Sequence, residues 1–441
     1  MGLRARPAPV VAVSLREEAT ALLQELLRLD TVNPPGNETQ AAELLRSYLE
    51  PAGLECELLA RVPERANLVA RLRSRGDGPS LLLLCHTDTV VADRREWSVD
   101  PWSGALRDGC IWGRGALDMK GHVAAAAVAV ATLAREGFEP AGDLVFAATA
   151  DEEVGDGFGL SWLCEAHPEA VCTDLCVNEG GGDRVVLGGK ALYLCSTAEK
   201  MSSPFRLKVR GRSGHGSMPG IADNALIKAG KLIARLEGEL DAPKLLPETE
   251  ALLAAALGRV PPAGEVRELL ESLDPDLSAM VDPMLGFSVS PTMIEASSRR
   301  NVIPGTCEVV CDCRLLPGQT QAEAEAVLRK RLGDDNYELE WLEGIGGTRS
   351  AVDTTLWPAI EAFVAREEPG ARLAPVILSG FTDSHYLREA FGTLAYGFFP
   401  MRTMEPAVAS RLIHSADERM PVDDLELGTR FFLETARTLL L

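Results

Sequence analysis

The chain has 441 residues, 46% of them apolar and 25% charged, which places it among globular proteins with room for two or three domains. Its formal charge of −21 works against nucleic acid or an anionic membrane as a partner. Ten cysteines over this length do not make a disulfide framework, and no segment is apolar for long enough to span a bilayer. Met1 to Val13 mixes Arg and Pro with a short Pro-Val-Val-Ala-Val run instead of a long apolar leader, so a cytoplasmic protein is expected.

Ser14, with Glu17 three residues on, predicts a capped helix whose apolar positions recur through Leu29. Asn33-Pro34-Pro35-Gly36-Asn37 forces a turn, and Thr39 to Leu49 reads as a second amphipathic helix. Strands around Cys56–Leu59 and Asn67–Leu72 lead into Leu81-Leu82-Leu83-Leu84-Cys85, an apolar run expected to be buried on both faces. That run ends abruptly in His86-Thr87-Asp88. Trp97 to Trp112, rich in Pro, Gly and Trp, predicts a loop with a small hairpin, and Gly113-Arg114-Gly115 is too bare for a phosphate loop. Met119 to Arg135 is an alanine- and valine-rich helix with Asp118 at its N-terminal edge, where a carboxylate is favoured.

A second buried strand, Asp143 to Ala150, ends in Asp151-Glu152-Glu153, and a helix follows over roughly Gly159 to Ala166. Asp174 to Asn178 is a third short strand, ending in Glu179 and three glycines. Strands alternating with helices imply a mainly parallel sheet. The pattern changes from about Leu192. Strands at Phe205–Arg210, Phe287–Ala296, Cys307–Leu315 and Tyr337–Trp341 combine with helices at Asn224–Leu236 and Gln321–Leu332 in a β-α-β-β-α-β sandwich. Residues 241–285 form an acidic helical insertion without a motif. Helix Thr355–Arg366 and a strand near Leu394–Phe398 resume the earlier rhythm. The fold class is therefore α/β. A catalytic domain over 1–193 and 345–441, built on a mainly parallel sheet, is interrupted by an α+β sandwich over 194–344.

Three buried strands end in His86, Glu152-Glu153 and Glu179, with Asp118 at a helix start between them, and the carboxyl ends of parallel strands share one edge. His414, in Leu412-Ile413-His414-Ser415-Ala416-Asp417-Glu418, lies in the resumed α/β part, and the chain holds only six histidines. Each residue alone has an ordinary explanation as a capped turn or surface acid; their joint placement makes them candidate ligands. Imidazole and carboxylate without thiolate suit zinc, cobalt or manganese. A charge count favours two ions: Asp118, Glu153 and Glu179 with one bridging hydroxide balance two divalent cations. Glu152 is left over as a proton shuttle.

His86-Thr87-Asp88, Gly115-Ala116-Leu117-Asp118-Met119-Lys120-Gly121, Asp151-Glu152-Glu153-Val154-Gly155, Asn178-Glu179-Gly180 and Ile413-His414-Ser415 stand in the order seen in a known family. Over nearly its whole length the chain resembles the co-catalytic zinc amidohydrolases and peptidases of the carboxypeptidase G, aminoacylase, acetylornithine deacetylase and succinyl-diaminopimelate desuccinylase group. The resemblance implies that Asp118 bridges two metals, with His86 and Glu179 completing one ion and Glu153 and His414 the other. It implies Asp88 as the carboxylate orienting His86, Glu152 as general base, and a cis peptide after Asp118. The sandwich would be a lid and homodimerisation domain, with His215 in Gly214-His215-Gly216-Ser217-Met218-Pro219 delivered into the partner's site. Asn301 and Arg314 match substrate-binding positions, and Arg314 could hold a carboxylate bidentately. Ser379-Gly380-Phe381-Thr382-Asp383 resembles a substrate loop but departs from it in carrying Phe381.

Without the resemblance, His215 is as readily a turn histidine, and Arg314 a strand-end arginine in a surface ion pair. Cys307, Cys311 and Cys313 alternate as buried strand residues, and His122, His167 and His385 are most simply structural. The glycines at 180–182 and 188–189 lack the dinucleotide fingerprint. The implied activity is hydrolysis of an amide in a small molecule, an N-acyl amino acid or short peptide. The alternatives are an aminopeptidase or di/tripeptidase on the same site, and a catalytically silent metal-binding protein. Glu179, where aminopeptidases of the group tend to carry Asp, favours a deacylase or carboxypeptidase.

Overall fold

The computed structural model describes residues 14–273, 275–334 and 336–441, so the stretch Met1 to Val13 lies outside the described residues. Contacts divide the chain into two compact units, one formed by residues up to 171 together with 399–441, the other by 172–398.

In the first unit, strands Glu55–Ala60, Ala66–Leu72, Leu144–Thr149 and Leu81–His86 lie side by side in that order. The first three pair antiparallel. Leu81–His86 runs parallel to Leu144–Thr149, with Leu81 opposite Leu144 and His86 opposite Thr149. The continuous apolar runs are buried along their whole length, as two-sided burial of a parallel pair requires. Each such leucine contributes about 1.5–3 kcal/mol of burial free energy. Both strands therefore end at one edge, and that edge carries His86 and the Asp151–Glu153 turn.

Helix Lys120–Arg135 packs against helices Leu15–Leu27 and Val422–Leu440. Its run of small residues, with Ala124 to Ala127 fully buried, lets these backbones approach closely. Ser14 forms the expected capping box with Glu17. The predicted hairpin is Ala105–Arg107 with Cys110–Trp112, and Arg419–Pro421 adds a third strand to it.

In the second unit, Leu175–Asn178 runs parallel to Leu394–Gly397, and Lys190–Glu199 runs parallel to Arg372–Leu378. Of these, Leu175–Asn178 and Leu394–Gly397 are the strands expected to carry the α/β rhythm, and they pair in parallel. The sandwich is present as read: Tyr337–Trp341, Phe205–Arg210 and Thr306–Leu315 pair antiparallel, and Ser288–Glu295 lies on the far side of Thr306–Leu315. Helices Ala225–Arg235 and Gln321–Leu332 cover this sheet around a core that includes Cys307, Cys311 and Cys313, which are free thiols. The insertion is helical at Pro247–Leu257, Val266–Leu273 and Pro275–Val281. Its Leu252, Leu253, Val266 and Leu270 share a core with Leu192, Leu194, Ala374 and Ile377, so it roofs the strands Lys190–Glu199 and Arg372–Leu378. Among the described residues no helix is long and apolar enough to cross a membrane.

Candidate metal centre

Six predicted site residues meet in the first unit: His86, Asp88, Asp118, Glu152, Glu153 and His414. The Asp118 carboxylate lies between two imidazoles, Oδ1 3.1 Å from His86 Nε2 and Oδ2 3.1 Å from His414 Nε2. Glu153 Oε2 stands 3.1 Å from the same His414 nitrogen, and Glu152 Oε2 stands 3.9 Å from His86 Nε2. His86, Asp118 and Glu153 offer donor atoms within 4.8 Å of one another. The peptide bond between Asp118 and Met119 is cis, as the resemblance implied.

Asp88 is fully buried, and it does more than orient His86. Its backbone oxygen lies 3.1 Å from His86 Nδ1 and its Oδ1 3.4 Å from the same atom. The carboxylate also accepts the backbone N–H groups of Glu152 at 3.2 Å and Glu153 at 3.1 Å, and the Asn33 amide at 2.9 Å. One side chain therefore fixes both a histidine and the turn carrying the two glutamates. Burial pushes the Asp88 carboxyl up, and the His86 ring and these donors outweigh it, holding the group below its ordinary range.

Glu418 escaped sequence reasoning although it lies four residues beyond His414. It is buried and accepts four hydrogen bonds, on Oε2 from Arg114 Nη1 at 2.6 Å and Gly115 N at 2.9 Å, and on Oε1 from Leu117 N at 2.7 Å and Asp118 N at 3.0 Å. It clamps the Asp118 loop to the segment that carries His414. Burial pushes its carboxyl up against the Arg114 charge, yet only the carboxylate satisfies all four donors. Lys120, also buried, closes the loop's other side by donating to the carbonyls of Leu26 at 3.1 Å and Leu29 at 2.9 Å, at the end of helix Leu15–Leu27.

The donor set fits divalent cations. Oε1 of Glu153 is buried without a hydrogen-bond partner among the described residues, an expense that a cation would remove. The Asp118 and Glu153 carboxylates raise the His414 imidazolium to about 10, and the same negative field would hold a metal in place of that proton. His414 adopts a left-handed backbone, φ 60°, uncommon for a residue other than glycine. Burial on both sides of Asp118 works against its charge, and the two histidines outweigh this and keep it ionised.

His122 lies in the first turn of helix Lys120–Arg135. Its ring meets Phe399 edge-on at 4.0 Å, and burial pushes its pKa down to about 3. His385 is likewise buried, with Nδ1 2.7 Å from the Thr382 carbonyl.

The remaining predicted residues belong to the second unit. Glu179 follows strand Leu175–Asn178, and a Cβ at Gly397 would lie 2.0 Å from its carbonyl oxygen, so the glycine sets its backbone. His215 and Asn301 are neighbours: Gly216 N–H donates to the Asn301 carbonyl at 2.8 Å, and His215, exposed, has Nδ1 2.8 Å from Ser217 Oγ. Arg314 uses the Nε and Nη2 edge of its fork on Asp312, at 2.9 Å each, and its guanidinium lies 6.0 Å from the Phe381 ring. A bidentate grip on a substrate through that edge would require Asp312 to yield it.

Residues 82–438 match the sequence profile described as Peptidase family M20/M25/M40. Succinyl-diaminopimelate desuccinylase of Methylobacterium radiotolerans is 27% identical over 432 residues, covering 94% of this chain and 95% of that protein. The N-fatty-acyl-amino acid synthase/hydrolase PM20D1 of Xenopus tropicalis is 27% identical over 368 residues, 80% of this chain and 71% of its own length. Among solved structures, an M20 family metallo-carboxypeptidase from Sulfolobus solfataricus shares the fold with a TM-score of 0.71 at 18% identity, covering 96% of this chain and 99% of that one.

Proposed function

The chain belongs to peptidase family M20/M25/M40 and is a hydrolytic enzyme, and on that premise we propose that it cleaves the amide bond of an N-acyl amino acid or short peptide with two bound divalent cations. His86, Asp118, Glu153 and His414 would hold the ions, with Glu179 added as fifth ligand on its Asn178-Glu179-Gly180 motif alone. Zinc, with cobalt or manganese as substitutes, suits these donors. Bound there, the pair would polarise a carbonyl and acidify water. The observation that carries the proposal is the Asp118 carboxylate with one oxygen turned to each histidine, 3.1 Å in both cases.

Glu152 is the general base. Its N–H is fixed by Asp88, and its carboxylate stands 3.9 Å from His86 Nε2. A carboxylate so placed takes a proton from the attacking water and returns it to the leaving amine nitrogen. His215, Asn301 and Arg314 are carried as substrate-binding residues on their motifs. Both curated relatives bear names that describe acyl groups on amino acids, which supports a deacylase over an aminopeptidase. A homodimer through the sandwich is supported by its edge strand Ser288–Glu295. There Met293 and Ile294, along an open strand edge, are 68% and 53% exposed, and Ile227 on helix Ala225–Arg235 is 59% exposed, apolar side chains that a second copy would cover.

The test is a panel of N-succinyl, N-acetyl and N-fatty-acyl amino acids, dipeptides and aminoacyl amides, assayed with protein stripped by chelator and then restored with zinc, cobalt or manganese. Hydrolysis of acyl amino acids only when metal is restored is expected. Activity that survives stripping, or turnover confined to aminoacyl amides, would overturn the metal requirement or the substrate class.

A further inference from the structure

We infer that Asn33 and Arg65 are positioning residues for the Asp151–Glu153 turn, acting on Glu152 and Glu153 through a buried chain of polar side chains that starts at Glu38. The inference rests on the roles proposed above for those two glutamates. The Asn33-Pro34-Pro35-Gly36-Asn37 turn supplies none of the candidate ligands, yet its first side chain is 3% exposed and faces inward. Asn33 Nδ2 donates to Asp88 Oδ2 at 2.9 Å and to Asp151 Oδ1 at 3.1 Å, tying two carboxylates together. Arg65 runs beneath the same turn. It forks the Glu38 carboxylate at 2.6 and 2.8 Å, donates to the Pro35 carbonyl at 3.1 Å and reaches Asp151 Oδ1 at 3.2 Å. Gly36, at φ +81°, makes room for it, since a Cβ there would lie 2.1 Å from Arg65 Nε.

A buried ion pair that merely anchored the turn would be complete at Glu38 and Arg65. Here the chain continues, and it ends on the backbone of the two glutamates. Asp88 Oδ2, the atom that takes Asn33, also takes the N–H of Glu153, and Asp88 Oδ1 takes that of Glu152. Asp151 sits at φ 69°, a left-handed conformation that aspartate adopts more readily than most residues, helped by hydrogen bonds to its side chain. Three partners fix it: Asn33, Arg65 and the Phe158 N–H at 2.9 Å. Removing Asn33 or Arg65 frees Asp151 to relax, and the two residues after it turn with the backbone. Glu38 and Asp88 are fully buried, and Arg65 and Asp151 are 5% and 4% exposed, so water cannot take over these contacts.

The experiment uses the full chain stripped by chelator and titrated with zinc against a chromophoric zinc chelator, alongside melting of the metal-free protein and kcat and KM on the best panel substrate. The variants are Asn33→Ala, Arg65→Met and, as a stability control in the same unit, Arg71→Met, which breaks the 2.9 Å pair with Asp143. Asn33→Ala and Arg65→Met should weaken zinc binding by about 10–100-fold and lower kcat with KM changed by less than about threefold. Arg71→Met should lower the melting temperature while leaving zinc affinity within about twofold. Wild-type zinc affinity in both site variants would overturn the inference, as would an equal affinity loss in Arg71→Met at equal loss of melting temperature. Should either site variant fail to fold, Asn33→Ser and Arg65→Lys, which keep a donor and a charge but not the full geometry, are judged by the same affinity criterion. A wild-type chain that binds no divalent cation overturns the proposed function itself, and that outcome is separate from variants that bind as wild type does.

Discussion

Replacing Glu418 by glutamine should be among the most damaging conservative changes in the protein. The two carboxylate oxygens accept four hydrogen bonds, two on each. Glutamine offers one oxygen and one NH2 group, so in either orientation a donor is turned against two donors, either Arg114 with Gly115 or Leu117 with Asp118. Two buried donors lose their acceptor at about 1–3 kcal/mol each, and Arg114, 3% exposed, becomes an uncompensated buried charge. Breaking a buried pair from one side costs about 3–5 kcal/mol, a large share of an ordinary domain's stability of about 5–15 kcal/mol. Urea unfolding of metal-free Glu418→Gln should show that loss. The double variant Glu418→Gln/Arg114→Met should recover part of it, because the orphaned charge is gone. A loss below about 1 kcal/mol, or a double variant destabilised by the full sum of the singles, would refute the clamp.

Glu152→Ala should lower turnover by about two orders of magnitude or more while zinc content, measured by mass spectrometry, stays near that of wild type, and retained turnover would remove Glu152 from the mechanism. His215→Ala should impair catalysis, and mixing it with Glu152→Ala chains should restore part of the activity if His215 serves the partner's site; absence of any recovery counts against a shared site. The Lys200 ammonium, buried and donating to the carbonyls of Pro283 at 3.0 Å and Gly286 at 2.8 Å, is held down by burial to about 8 from 10.5. The unfolded chain then binds more protons between those values, so this residue's contribution to stability rises with pH from about 8 to 10.5. Urea midpoints of wild type and Lys200→Met measured at both ends of that window should diverge upward in the wild type, and parallel curves would show that the shift is not expressed.

What could be read from the sequence depended on whether a residue's partner leaves a pattern. Leu81–His86 and Leu144–Thr149 announce themselves as apolar runs that stop at a histidine or an acid, because two-sided burial excludes polar residues until the strand ends. Arg372–Leu378 did not, since Pro375 argues against a ladder strand. Among the described residues it pairs on one side only, with Lys190–Glu199, where a missing N–H is tolerated. Helix Val422–Leu440 was hidden by its acidic opening and Gly428. Glu418 could not be found, because three of its four donors are backbone N–H groups that every sequence possesses. The Asp312 hold on Arg314 was legible, as residues two apart on a strand share a face, and the bidentate role assigned to Arg314 overlooked it.

The clamp between Asp118 and Glu418 spans 300 residues of chain. At synthesis rates of about 5–20 residues per second, roughly 15–60 s separate the emergence of the two ends of that contact. Through that interval the loop bearing Asp118 has neither its carboxylate staple nor His414, and helix Lys120–Arg135 lacks its cover from Val422–Leu440. At the proposed site, metal loading is thereby expected only after residues 414–418 have been made. Ribosome-bound chains arrested before residue 414 should take up no more zinc than chains lacking Asp118, and the released chain should acquire it only once residues 399–441 have folded back onto the part made first.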